Sequence, residues 1–230
     1  MNMQKAIAPI LNFLSKGIYF SDYYGYKYYN YYKNEHYLAH NILKEPKDFE
    51  NILELIQESS VHEFRSPSKI LPLDLDFSFS VKEVIKHKGN PRFILDKEYS
   101  LLTQQVLFYK VRISGFSFLT QFHFMNDSLW IIKQDISYQN ASHENLGLIT
   151  RLLLKKYPIE FVRSGTLNEQ SRISDNHGNH MLIKHGIKTE ILYFNLKPQI
   201  ISIVNDWIKD SINNKVREDK SIEKKLLRNL

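Results

Sequence analysis

The chain has 230 residues, 43% of them hydrophobic and 24% charged, with few Gly and Pro. That composition excludes extended disorder and allows one large domain or two small ones, each with a core that needs no staples. The absence of cysteine excludes disulfides, thiolate metal sites, a cysteine nucleophile and a lipidated Cys, while a net charge of +6 permits weak attraction to nucleic acid or acidic membranes.

In chain order, residues 5–16 read as a helix with Ile7, Ile10, Leu11 and Leu14 on one face and Gly17 to stop it. Lys5 and Lys16 are its only cations, a thin basic face for membrane binding. Pro9 and Asn12 interrupt the apolar run, and no small-residue cleavage site follows, so the start is not read as a secretory signal. No stretch approaches the roughly 18 apolar residues of a spanning helix. The expectation is a soluble, cytoplasmic protein.

Nine of the 14 tyrosines fall between Tyr19 and Tyr37. Gly25 argues against one helix through the whole segment. From about Tyr26 onward, Tyr28, Tyr32, His36, Ala39 and Leu43 recur at helical spacing, and Pro46 ends that helix. Asp48 then caps a second, with Phe49, Ile52, Leu53 and Ile56 as its apolar stripe. Pro67 and Pro72, without helical periodicity, mark residues 66–76 as a linker. Residues 1–65 therefore read as a helical, tyrosine-rich region, 77–212 as a sheet domain and 213–230 as a charged helical tail.

Ser80 and Glu83 form a capping box that opens a short helix, which Gly89 and Pro91 close. Three apolar runs follow: QQVLFYKVRI, FSFLTQFHFM and LWIIKQDISY. Ser114-Gly115 and the Asn126–Ser128 turn separate them, which predicts an antiparallel meander. Ser142 caps a further helix with Leu146, Ile149, Leu152 and Leu153 inward, and Pro158 follows it. A second hairpin group turns at Asp175–Gly178 and at His185-Gly186. Pro198 opens a last helix that carries Ile201, Val204, Ile208 and Ile212 to the core. The fold class is α+β: a helical N-terminal region, then an antiparallel sheet of helix-plus-meander units with helices on one face, and a C-terminal helix.

The segments VKEVIKHKGNPRF, VLFYK and FHFMNDSLWIIKQDI combine a short helix closing on Gly-x-Pro with apolar strands joined by an Asn-Asp turn. On these, residues 77–137 resemble the small lipoprotein fold of the SmpA/OmlA (BamE-like) outer-membrane assembly family. The resemblance covers about 60 of the 230 residues and is one of fold. The signal peptide and lipidated Cys of that family are not matched, so its role in outer-membrane assembly does not carry over. What the resemblance implies is the architecture and non-catalytic protein binding.

Few residues suggest chemistry. His36 and His40 share a helix face beside Glu35, but two ligands do not make a zinc site, and the order is not the His-Glu-x-x-His of metalloproteases. His177, His180 and His185 cluster around Asp175 and are the remaining metal or active-site candidates; Asp-Asn-x-Gly-Asn at the same place is ordinary turn chemistry. No catalytic residue, cofactor motif or phosphate loop is read.

Nucleic-acid binding would use the tyrosines with Lys86, Lys88 and Arg92, and the tail cations Lys224, Lys225 and Arg228. No RNA-binding strand signature accompanies them. A helix with tyrosines around much of its circumference cannot bury them all in one small core. Those left out are exposed, dimerise or meet a partner, and tyrosine suits an interface because its large stiff ring ends in a polar tip. The reading is a non-catalytic protein-binding, adaptor or immunity-type protein with Tyr23, Tyr26, Tyr29 and Tyr32 as anchors. The alternatives are a nucleic-acid binder and a histidine-cluster enzyme.

Overall fold

The computed structural model describes residues 22–57, 62–99, 102–138, 143–161, 170–185 and 188–227. The helix expected at 5–16, the cap at Ser142 and the turn at His185-Gly186 lie wholly or partly outside them. The chain divides into two compact units, Met1–Ile42 and Leu43–Leu230.

The first unit is described through one helix, α1 (Asp22–His40). It runs straight through Gly25, where a break was expected. An interior glycine costs a helix only about 1 kcal/mol relative to alanine, too little by itself to end one.

The second unit is built on a sheet of nine strands among the described residues: β1 (His62–Arg65), β2 (Phe93–Glu98), β3 (Thr103–Ile113), β4 (Phe116–Met125), β5 (Ser128–Tyr138), β6 (Glu160–Phe161), β7 (Gln170–Ser174), β8 (Asn179–His185) and β9 (Thr189–Asn195). Their order is β2-β3-β4-β5-β9-β8-β7-β1-β6. Two antiparallel meanders, β2 to β5 and β7 to β9, join side by side where β5 pairs antiparallel with β9. The sheet is thus antiparallel except for β1, which runs parallel to β7. His62–Arg65 belongs to this sheet, and the stretch after it is drawn into the fold, with Ser66 and Ile70 buried and a short 3-10 turn at Pro72–Asp74.

The β3–β4 and β4–β5 turns form as read. Ser114 and Gly115 have φ of 49° and 83°, and Asn126 and Asp127 have 48° and 60°. These paired positive values define the tight hairpin turn that matches strand twist, and they explain the Gly, Asn and Asp found there. Residues 77–137, which carry the lipoprotein resemblance, contain one helix and four strands. The extra strand, β2, has a half-buried and exposed alternation typical of an edge.

Strand register sorts the side chains into two faces. One face carries Leu107, Phe122, Ile132, Tyr193, Met181 and Ile173. Helix α3 (Val81–Lys88) covers it through Val81 and Val84, and α4 (His143–Lys156) through Ile149. The opposite face carries Val106, Ile131 and Phe194, all buried. There α2 (Pro46–Gln57) and α5 (Pro198–Leu227) pack. Phe49 of α2 stacks on Trp130 at 5.8 Å and meets Trp207 of α5 edge-on at 4.7 Å. Gln104 donates to the Leu43 carbonyl at 3.2 Å on the same side.

Helices therefore cover both faces, not one. The physical reason lies in β3 and β5, whose successive residues Val106, Leu107 and Phe108, and Leu129 to Ile132, are all buried. Leu152 and Ile212, read as core, are exposed. Among the described side chains of α4, Ile149 is buried and Leu153 partly buried in the core. Among the described side chains of α5 the buried positions Ile200, Val204, Trp207 and Ile208 end one turn before Ile212. Among the described residues no helix is long and apolar enough to cross a membrane.

The capping box of α3 is complete: the Ser80 hydroxyl accepts from the Glu83 N–H, and the Glu83 carboxylate accepts from the Ser80 N–H at 2.7 Å. That contact holds the Glu83 carboxyl below its ordinary pKa. Ser80→Ala is expected to lower stability by about 1 kcal/mol, read as a shift in the urea midpoint.

Candidate functional site

On α1, Tyr31 is 59% and Tyr32 36% exposed, and their rings meet edge to face at 5.5 Å. Leu38 is exposed on the same helix, whereas Tyr37 is buried. Tyr23, Tyr26 and Tyr29 lie on the helix backbone, their side chains outside the described set. The sequence reading thus named Tyr32 but passed over its exposed neighbour Tyr31. His36 and His40 are neighbours, with ring centres 4.4 Å apart. His40 donates from Nδ1 to the His36 carbonyl at 2.7 Å, so one of its two ring nitrogens is already committed to the helix.

The histidine hairpin is organised as a turn. The Asp175 carboxylate accepts from the N–H groups of Ile70 and His177 at 2.7 Å, from the Asn179 N–H at 3.0 Å and from the Asn179 side chain at 2.8 Å. Burial pushes its pKa up, but these hydrogen bonds outweigh that and hold it below the ordinary value. His177 is exposed. The His180 ring lies flat against Phe194 at 5.0 Å, and burial, then the nearby Arg172 charge, lowers its pKa. His185 is at the far end of β8, opposite Thr189 and five positions from His180, about 17 Å along an extended strand. The backbone therefore spreads these histidines out. Among the described residues no three His, Asp or Glu side chains are placed to hold a metal ion.

Of the basic candidates, Lys86, Lys88 and Arg92 are exposed near the end of α3. Lys88 donates to the Leu73 carbonyl at 2.7 Å. Lys224 and Lys225 lie on the α5 backbone, and Arg228 is outside the described residues.

The sequence reading missed a polar row buried on the α2/α5 face. Register sets Gln121 across from Lys133, and Asp135 across from Glu190. Lys133 Nζ is 3.1 Å from Asp135 Oδ1 and 3.9 Å from Glu190, and Lys188 Nζ is 3.3 Å from Asp135 and 2.7 Å from Glu190. Burial alone would raise the Glu190 pKa, but Lys188 and Lys133 bring it below the ordinary value. Two ammonium groups thus offset two carboxylates, with Lys133 and Asp135 largely buried and Lys188 and Glu190 reaching the surface.

Beside this row, His123 is fully buried and its Nε2 donates to Gln121 Oε1 at 3.2 Å. Burial, and then the Lys133 charge, lowers its pKa to about 3, so the ring is neutral. The signal was present as polar residues at alternate positions of apolar strands, in TQFHF and IIKQDI. Compared with known proteins, the chain matches no family model, no curated protein and no solved structure.

Proposed function

We propose that the protein is a cytoplasmic, non-catalytic protein-binding module that occupies a partner's surface through its tyrosine helix. The observation that carries this reading is the exposed, mutually packed pair Tyr31 and Tyr32. Stiff aromatic rings held in fixed geometry offer contact area at little entropic cost on binding. Tyr23, Tyr26 and Tyr29 extend the same helix and complete the proposed anchor set. A cysteine-free composition suits a reducing compartment.

The test is affinity capture from nuclease-treated native lysate, then titration of the purified captured protein against wild type and Tyr31→Ala/Tyr32→Ala. The expected result is a dissociation constant about 30-fold higher in the variant, the loss of about 2 kcal/mol that a true anchor carries. Added salt should change the affinity little. Equal affinity for both proteins would reject the reading. Capture that vanishes with nuclease, or falls steeply with salt, would transfer it to nucleic acid.

A further inference from the structure

The outer edge of β3 is open at its far end. Strand β2 pairs with β3 only as far as Phe93 opposite Phe108, while β3 continues to Ile113. It stops there because the chain arrives from α3 through Gly89, at a φ of 78°, and Pro91, which has no N–H to donate to a ladder. The Arg92 N–H donates to the Phe108 carbonyl at 2.8 Å, so the backbone groups of Phe108 face outward toward β2. Backbone direction alternates along an antiparallel strand, so the N–H and C=O groups of Lys110 and Arg112 face the same way. Among the described residues no strand pairs with them there.

The side chains along this edge differ by face. Val111 is 50% and Ile113 58% exposed. Register continues them into Phe118 and Phe116, both partly buried, and Phe116 meets Tyr138 edge-on at 5.0 Å. The result is an apolar shelf beside an unpaired backbone. On the other face stand Lys110 and Arg112. Arg92 is at the same corner, and so is the end of α3, because the Tyr109 hydroxyl donates to the Gly89 carbonyl at 2.8 Å. A long apolar edge is a pairing template, and proteins ordinarily cover or shorten it.

Charge decides what fits. Every antiparallel self-pairing that centres on residues 110–112 and keeps like faces together sets Lys110 or Arg112 against Lys110 or Arg112. Like charges directly opposite are destabilising, which disfavours a second copy of the chain. We infer that the edge of β3 from Lys110 to Ile113 is a strand-addition site for an extended partner peptide that alternates acidic and aliphatic residues. Its backbone pairs with Lys110 and Arg112, its aliphatic side chains rest on the Val111–Ile113 shelf and its carboxylates meet the two cations. The basic corner would also attract nucleic acid, but a phosphate backbone uses neither the outward ladder groups nor the apolar shelf.

The test is fluorescence anisotropy on the full chain with a labelled synthetic peptide of alternating glutamate and valine. Saturable binding is expected, with affinity lowered about tenfold or more in Lys110→Glu and Arg112→Glu. Both variants should gain affinity for an alternating lysine–valine peptide. Methylating alternate peptide nitrogens should abolish binding without touching the protein, which separates ladder pairing from any effect on its fold. Tyr31→Ala/Tyr32→Ala should bind the peptide as wild type does, so failure of the tyrosine-helix reading leaves this one standing. No saturable binding, undiminished binding of the methylated peptide, equal binding of a peptide with its glutamates and valines in separate blocks, or preference for an oligothymidylate would each overturn the inference.

Discussion

Between about pH 6.5 and about pH 4 the protein is expected to lose about 3 kcal/mol of folding stability through one side chain, His123. Its ring is fully buried, and among the described residues its Nδ1 has no hydrogen-bond partner. Adding a proton there would create a second N–H with nowhere to donate, close to the Lys133 ammonium. Burial first, and Lys133 second, therefore bring the pKa from 6.5 to about 3 in the fold. In the unfolded chain the ring takes its proton near 6.5. Between those values the unfolded state binds more protons, so stability rises with pH. The contribution is fully present above pH 6.5 and is lost as the pH falls toward about 3. Urea midpoints between neutral pH and about pH 5 stay above the range where most carboxylates titrate. There, His123→Asn should show a flatter pH dependence than wild type. Parallel slopes in the two proteins would mean that His123 is not the group responsible.

Trp130→Ala should destabilise the fold by about 3–5 kcal/mol, the range for removing a large buried aromatic side chain. Trp130 is the extra residue where the β4–β5 register shifts, since His123 pairs with Ile131 and Phe124 with Leu129. It is wholly buried, and its stack on Phe49 leads through Trp207 to Tyr99. One ring therefore ties α2 and α5 to the sheet. Among the described residues the indole Nε1–H has no hydrogen-bond partner. Trp130→Phe removes that orphaned donor with part of the ring and should cost clearly less than Trp130→Ala. Urea unfolding followed by circular dichroism would measure both. A loss below about 1 kcal/mol for Trp130→Ala would show that the stack does not anchor these helices.

The parts of the fold that were legible depend on neighbours in sequence. Ser80 and Glu83 are three residues apart and satisfy each other's backbone partners. Ser114-Gly115 and Asn126-Asp127 turn the chain through their own backbone preferences. The second face of the sheet was written in the unbroken apolar runs VLF and LWII, a signal of strands buried on both sides. The short strands β1 and β2 were not legible, because four or six residues acquire strand geometry only from the partner beside them.

The candidate sites divide in the same way. Sequence by itself determined that tyrosines crowd one segment, that cations precede and follow the sheet, and that Asp175 begins a turn. Tertiary structure decided that Tyr31 and Tyr32 are exposed while Tyr37 is buried, and that His177, His180 and His185 are spread along a hairpin. It also decided that Lys110 and Arg112 border an open edge. The reason is physical: helix and turn preferences act over three or four residues, whereas burial and an unpaired strand edge are set by elements tens of residues away.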